Sequence, residues 1–143
     1  RSPLPSALDW KAAATDPDEV AELARTLTDD LPQMPPSILV VEGLTDFLSG
    51  PAEMALQELV RVARTTDHLI VAESETSTLT QSWPLVQAVR AARRGFALQP
   101  DQTEGDSIFR TSFPRVNRRE FPLGRGLLVE GGKTRRVQLT LPE

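Results

Sequence analysis

The run Gly-Gly-Lys-Thr at residues 131–134 ends like the phosphate-binding signature GxxxxGK[ST]. That signature needs a glycine five positions before Gly132, so that successive backbone N–H groups surround the phosphates, but position 127 is a leucine. It also needs a helix after the lysine, whereas residues 135–141 alternate like a strand. The sequence therefore predicts a tight turn over residues 130–133, in a hairpin that joins residues 127–129 to a final strand, and no intact phosphate loop.

A second candidate is the acidic residue that follows an apolar strand, Glu42. Residues 38–41 are four consecutive apolar residues, a pattern typical of a strand covered on both faces. In nucleotide-hydrolysing domains such a strand ends in an Asp that holds Mg²⁺, often followed by an acid that orients the attacking water. Here Glu42 can still reach a metal ion, but Gly43 cannot orient water. A carboxylate solvated at a strand end explains Glu42 equally well.

Few other groups are placed for catalysis or metal binding. The chain has one histidine and no cysteine, which excludes a multi-histidine metal site, thiolate catalysis and cysteine-based zinc sites. His68 precedes a strand at a turn, where we expect a surface residue and not a catalytic base. Asp101, Glu104 and Asp106 have metal-like spacing but lack the glycine turn and distal glutamate of an EF-hand. We interpret residues 100–108 as a solvated, variable acidic insert.

Charge is unevenly distributed along the chain. Residues 1–70 carry five basic and twelve acidic side chains, and residues 71–143 carry eleven and eight. A solvated face is the simpler interpretation of the basic excess, and contact with nucleic-acid phosphates or an acidic neighbouring subunit is the alternative. The basic residues concerned are Arg110, Arg115, Arg118, Arg119, Arg125, Lys133, Arg135 and Arg136.

The elements that position these residues alternate between helix and strand. Residues 1–15 read as a loop, and helices are expected at about 16–31, 51–64 and 79–94. Pro84 is an alternative start for the third helix, and Gly95 is expected to cap its end. Strands are expected at 38–41, 68–72 and 96–100. This order predicts an α/β fold: a three-layer parallel sheet with helices on both faces, ending in a β-hairpin. We predict a single domain over residues 1–143, without a membrane span, and because the chain begins with Arg1 we expect a fragment of a longer protein.

From Ser2 to Leu141 the chain resembles the C-terminal half of a motor domain of the FtsK/SpoIIIE family. These ring ATPases move double-stranded DNA and, in the EccC/EssC branch, drive type VII protein secretion. The stretch ILVVEGLTDFL resembles the Walker B strand, and LVRVARTTDHLIVAES is similar to the helix and strand that follow it. The stretch RRGFALQPD looks like the strand before a variable insert, and FPLGRGLLVEGGKTRRVQLTL resembles the closing Pro-x-Gly-Arg-Gly hairpin.

The resemblance implies roles for individual residues and a partial RecA-like P-loop core. Glu42 stands at the Mg²⁺-ligand position and Gly43 replaces the water-orienting acid, so Walker B is degenerate. Glu73 and Ser74 fall at the sensor position, where a loop that caps the next helix is the better interpretation. Arg125 lies in the turn that passes near the adenine in relatives. ATP and Mg²⁺ are the implied cofactors, and the Walker A half is expected upstream of Arg1.

Two functions follow from this resemblance. The first is a degenerate ATPase domain of a DNA or protein translocase, with a docking or regulatory role and weak or no hydrolysis. The second is part of an active motor domain whose Walker A lies upstream, with the catalytic acid supplied from elsewhere, for example by Glu73. The expected partners are other motor domains of the same chain or ring, and double-stranded DNA or a secreted protein. The expected location is the cytoplasmic side of the cell membrane, to which the parent protein is anchored.

Overall fold

The structure, a computed structural model, describes residues 8–140 and is mixed α/β. It consists of two compact units, Arg1–Val89 and Arg90–Glu143, each described here by itself. Residues 8–15 form neither a helix nor a strand, and the rest of the predicted N-terminal loop lies outside the described residues. Across residues 8–140, no helix combines the length and apolar character that a membrane span requires.

The first unit contains the longer helices and a small sheet. Its helices are α1 (Pro17–Asp30), α2 (Pro51–Ala63), α3 (Thr76–Leu79) and α4 (Pro84–Arg90), the last ending at the unit boundary. Its strands are β1 (Ile38–Val41) and β2 (Leu69–Ala72). Helix α1 starts as predicted: Pro17 takes the first helical position, and the Asp16 side chain accepts a hydrogen bond from the Asp18 N–H at 2.9 Å.

The two strands β1 and β2 pair in parallel, with Ile38 beside Leu69 and Val40 beside Val71. On one face of this sheet, Leu39, Val41 and Ile70 pack against the helical core. The opposite face is open, because Ile38 is 64% exposed and Leu69, Val71 and Val40 are between 38% and 46% exposed. The prediction that both strands are covered on both faces is therefore wrong within the described residues.

Helices supply most of the first unit's core. Small residues of α1 and α2 allow close packing, and the larger buried side chains come from α2, α4 and the segments that follow α1 and β1. The buried set is Ala21, Ala24, Leu31, Leu44, Ala52, Ala55, Leu56, Leu59, Val60, Ala63, Leu85 and Val86.

The predicted third helix, residues 79–94, begins at its alternative start, Pro84, and not at Leu79. Helix α3 ends at Leu79 and α4 begins at Pro84, because proline cannot continue a helix but suits its first position. Helix α4 ends at Arg90, and Arg93, with φ of 50°, takes the left-handed conformation. Gly95 therefore does not cap a helix; it is the first residue of the next strand.

The second unit is a three-stranded antiparallel sheet. Its strands are β3 (Gly95–Leu98), β4 (Arg125–Glu130) and β5 (Lys133–Gln138), in the order β3-β4-β5. The expected third parallel strand is thus present as β3, but it pairs antiparallel with β4 and does not join β1 and β2. Strand direction depends on a partner about thirty residues later, which the local apolar pattern cannot reveal.

The predicted C-terminal hairpin is confirmed. Glu130 pairs with Lys133 around the two-residue turn Gly131-Gly132, and both glycines take positive φ, 57° and 72°. Two successive positive φ values define the turn type that matches the twist of paired strands, and glycine adopts them without strain. The Gly-Gly-Lys-Thr run is therefore a hairpin turn followed by a strand.

Candidate functional site

Backbone and side-chain hydrogen bonds join the carboxyl ends of β1 and β2. The Glu73 N–H donates to the Val41 carbonyl at 2.8 Å, and the Leu44 N–H donates to the Glu73 carbonyl at 3.0 Å. The Glu73 carboxylate accepts a third bond from the Gly43 N–H at 3.0 Å. Glu73 is therefore held by the turn after β1, and one of its carboxylate oxygens is engaged by the protein's own backbone.

Gly43 occupies a conformation that few other residues adopt. Its φ is 65°, in the left-handed region, and a Cβ at this position would lie 3.2 Å from Oδ2 of Asp46. An acidic side chain here would combine backbone strain with repulsion from the Asp46 carboxylate. The local backbone therefore favours glycine at the position directly after Glu42.

Three hydroxyl groups lie behind this turn. Thr45 Oγ1 is 2.8 Å from Thr78 Oγ1 and 3.2 Å from Ser74 Oγ. Thr78, on α3, is only 3% exposed. Ser74 therefore links the two strand ends, and it does not cap the next helix, whose N-cap is Glu75. Thr45 and Thr78 were not predicted from the sequence, because hydroxyl residues in short loops follow no periodic pattern that would bring them together.

Glu42 is exposed at the end of β1, and no donor within residues 8–140 holds its carboxylate. The described residues also contain no group of three or more histidine or acidic side chains placed to hold a metal ion. Glu42 can therefore offer one carboxylate and no closed cage. One carboxylate, with phosphates and waters as further ligands, is how Mg²⁺ is commonly bound in nucleotide sites.

His68 has a structural part in the first unit. Its Nδ1 accepts a hydrogen bond from the Ser37 N–H at 3.2 Å, so its Nε2–H donates to the Leu31 carbonyl at 2.8 Å. The ring thereby connects the segment after α1 to the start of β1. His68 is half-buried, and not the plain surface residue that the sequence predicts; both ring nitrogens are used by the backbone.

Arg125 lies in the second unit, so it is described by its own contacts. Its guanidinium donates to the Gln138 side chain at 3.1 Å and to the Glu120 carbonyl at 3.3 Å. Arg136 binds the Glu120 carboxylate at 2.8 Å, and its guanidinium lies 5.2 Å from the centre of the Phe121 ring. These two arginines brace the hairpin against the short helix Arg118–Glu120.

The remaining predicted contact residues of this unit are exposed. Their contact with nucleic-acid phosphates or with a neighbouring subunit stays a prediction. They are Arg110, Arg115, Arg118, Arg119 and Arg135.

The acidic insert is more ordered than a solvated loop. A π-helix, Gly105–Phe109, occupies its end and buries Gly105, Ile108 and Phe109. At its start, hydrogen bonds from the Thr103 N–H and hydroxyl to the Asp101 carboxylate, both 3.1 Å long, lower the pKa of Asp101. Asp101 thus fixes the local turn, and with Glu104 and Asp106 it forms no metal cluster in the described part of the chain.

Replacing Glu73 with alanine should release the turn after β1. The Gly43 N–H loses its acceptor, so we expect the free energy of unfolding to fall by about 0.5–1.5 kcal/mol. Glu73→Gln retains an acceptor oxygen and should cost less. Urea denaturation followed by tryptophan fluorescence measures both changes, with Glu75→Ala on the same loop as the control. Equal effects of Glu73→Ala and Glu75→Ala would show that the Glu73 carboxylate does not hold the turn.

Comparison with known proteins assigns no relative to this arrangement. No protein-family model, no curated protein and no solved structure matches the chain.

Proposed function

We propose that the chain is the C-terminal, degenerate ATPase domain of an FtsK/SpoIIIE-like translocase, with a docking or regulatory role and weak or no nucleotide hydrolysis. One observation carries the proposal. At the end of an apolar strand, where such motors place a metal-binding acid and a water-orienting acid, the chain has exposed Glu42 followed by left-handed Gly43. The site retains one acid and has lost the other.

Glu73, the acid that an active motor domain would use in place of the missing one, is held by the turn after β1. One oxygen of its carboxylate accepts a hydrogen bond from the Gly43 N–H, and the Asp46 carboxylate also lies beside Gly43. Moving Glu73 towards a water molecule would leave that backbone donor without its partner, which costs free energy. A general base must have its carboxylate aimed at the attacking water, and the turn fixes where the Glu73 carboxylate points.

A docking role is supported by the open face of the β1–β2 sheet. Parallel sheets are normally covered on both faces, yet four apolar side chains of this sheet are exposed in the first unit. Such a face is typical of an interaction surface. We therefore propose that this sheet lies inside a larger RecA-like assembly. Other motor domains cover its open face, and any bound ATP with Mg²⁺ approaches Glu42.

The proposed partners and location follow from the same resemblance. Double-stranded DNA or a secreted protein is the cargo, and the exposed arginines of the second unit are the candidates for contact with it. The parent protein is anchored to the membrane, with this domain on the cytoplasmic side.

The full-length parent protein that we propose provides the test. We expect Glu42→Ala to leave its rate of ATP hydrolysis unchanged within about twofold, because a domain without a water-orienting acid contributes little turnover. Coupled-assay kinetics measure the rate, and calorimetric titration with Mg-ATP measures binding. Glu22→Ala, which removes an exposed acid on α1, is the matched control. Turnover abolished by Glu42→Ala but not by Glu22→Ala would refute a silent domain.

The second candidate is part of an active motor domain. It is favoured by the exposure of Glu42 at the carboxyl ends of two parallel strands, where ligands bind in open α/β sheets. The residues upstream of Arg1 distinguish the docking domain from the active motor domain. An intact GxxxxGK[ST] that leads into a helix favours the enzyme, and a broken one favours the docking domain.

A further inference from the structure

A shallow cleft of about 540 Å³ lies in the second unit, on the segment that precedes β4. It is lined by Arg115, Val116, Asn117, Arg118 and Glu120, so most of its lining is polar or charged. Its two arginine side chains belong neither to the strand-end site of the first unit nor to the contacts that brace the hairpin.

The segment that forms the cleft is held in place near both of its ends. The Gln102 side chain donates to the Phe113 carbonyl at 3.0 Å and accepts from the Val116 N–H at 2.9 Å. At the other end, the Arg125 guanidinium donates to the Glu120 carbonyl at 3.3 Å. A site whose backbone is already fixed loses less conformational entropy on binding than a mobile loop does.

Positive charge dominates the cleft. Its one carboxylate, that of Glu120, already binds Arg136 at 2.8 Å, and Arg136 does not line the cleft. Arg115 and Arg118 are exposed, and no salt bridge in the described part of the chain uses either of them. An anion that enters the cleft therefore meets two guanidinium groups, while the single carboxylate is neutralised by Arg136.

Asn117 adds a neutral donor to the two arginines. Its side-chain oxygen accepts a hydrogen bond from the Arg119 N–H at 3.2 Å, so the N–H groups of the same amide remain as donors for a ligand. Three donor side chains favour a ligand that accepts several hydrogen bonds. A phosphate monoester carries about two negative charges and three acceptor oxygens at neutral pH, and it meets this requirement better than a carboxylate.

The other basic residues of this unit do not extend the cleft into a long positive surface. Arg135 and Arg136 are neighbours on β5, so their side chains point to opposite faces of the sheet. A carboxylate also lies within electrostatic range, because hydrogen bonds from Thr103 and, in addition, the charge of Arg118 lower the pKa of Asp101. A long polyanion such as a nucleic acid would meet this carboxylate as well as the arginines, whereas a single phosphate group is small enough to avoid it.

We propose that this cleft binds a phosphate group carried by a side chain of a partner protein. Arg115 and Arg118 donate to the phosphate oxygens, and the Asn117 amide donates a further hydrogen bond. The contact then depends on whether the partner is phosphorylated, so the second unit has a docking site that can be switched. This inference goes beyond the proposed function, and it depends neither on the motor resemblance nor on nucleotide binding.

Fluorescein-labelled peptides test the inference on the 143-residue chain. The probes are three decapeptides of glycine and alanine, identical except for a central phosphoserine, serine or glutamate. We expect the phosphoserine peptide to bind at least about tenfold more tightly than each of the others, measured by fluorescence anisotropy. Equal binding of the three peptides, or no binding of the phosphoserine peptide up to about 1 mM, overturns the proposal.

Two arginine variants and a matched control locate the bound phosphate. Arg115→Gln and Arg118→Gln each remove a guanidinium from the cleft, and we expect each to weaken binding of the phosphoserine peptide about tenfold. Arg119→Gln removes the same charge from the same segment, but Arg119 does not line the cleft, so binding should stay within about twofold. Equal losses in all three variants would indicate a diffuse effect of charge and contradict the proposal.

A short DNA duplex tests the alternative ligand. A nucleic-acid interface would bind the duplex with a steep dependence on salt, and the duplex would displace the phosphoserine peptide. We expect the duplex to bind more weakly than the phosphoserine peptide at about 0.15 M salt. If the duplex instead binds more tightly and displaces the peptide, the cleft belongs to a nucleic-acid interface and the phosphoprotein proposal is wrong.

Discussion

Replacing Gly105 with alanine is expected to destabilise the second unit by about 3 kcal/mol. A Cβ at this buried position would lie 2.3 Å from the Thr111 carbonyl oxygen and 2.5 Å from the Phe113 ring. The carbonyl belongs to the backbone, and the Thr111 N–H already donates to the Gly105 carbonyl at 3.0 Å. Relieving the clash therefore means separating two backbone segments that a hydrogen bond holds together.

The measurement has to report on the second unit. Both tryptophans, Trp10 and Trp83, lie in the first unit, so their fluorescence does not follow it. Amide hydrogen exchange in β4 is the suitable probe, because it gives the free energy of opening of that unit. Gly132→Asn is the matched control in the same unit, since no atom lies within 4 Å of a Cβ there and asparagine tolerates the left-handed conformation. Unchanged β4 exchange in Gly105→Ala would contradict the expected clash.

The same clash shows what the sequence could and could not reveal about the fold. The cap at Asp16, the strand at Ile38 and the Gly131-Gly132 turn follow from local chemistry, and each was predicted. The contact between Gly105 and the Phe113 ring is different. It depends on how the π-helix packs, and a single glycine in an acidic segment gives no sign of it.

Two errors share the same physical origin. Leu79, Trp83 and Val86 continue a helical spacing across residues 80–83, so periodicity alone favours a start at Leu79, whereas the helix begins at the alternative start, Pro84. The strand beginning at Gly95 was recognised, but its partner was not, because pairing with β4 is set by contacts distant in sequence. Local patterns find elements, and distant contacts decide how the elements are connected.

For the candidate site, topology was more informative than residue type. Parallel strands bring their carboxyl ends to one edge, so Glu42, Glu73 and Ser74, which follow the two strands, lie at the same end of the sheet. The sequence could not show that Glu73 is bound by the Gly43 N–H, because that contact depends on the left-handed turn at Gly43. The turn also explains why this position carries no acid.

Leu44→Ala is expected to lower the free energy of unfolding of the first unit by about 3–5 kcal/mol. Leu44 directly follows Gly43 and is fully buried among the helices of the core. Truncation leaves a cavity whose lining loses contacts, and the surrounding helices can fill it only in part. The loss should also reach the site, because the Leu44 N–H donates to the Glu73 carbonyl and fixes the turn that holds Glu42.

Two control variants distinguish the destabilisation caused by a cavity from the effect of shortening any apolar side chain. Leu44→Met keeps the volume and should cost less than about 1.5 kcal/mol. Met54→Ala shortens a side chain on α2 that is 81% exposed, and should change stability by no more than about 0.5 kcal/mol. Urea denaturation followed by tryptophan fluorescence gives the three free energies, and hydrogen exchange of the Gly43 amide follows the turn. If Leu44→Ala were no more destabilising than Met54→Ala, Leu44 would not anchor the strand end in the core. Glu42 and Glu73 would then owe their positions to the hydrogen bonds of the turn alone.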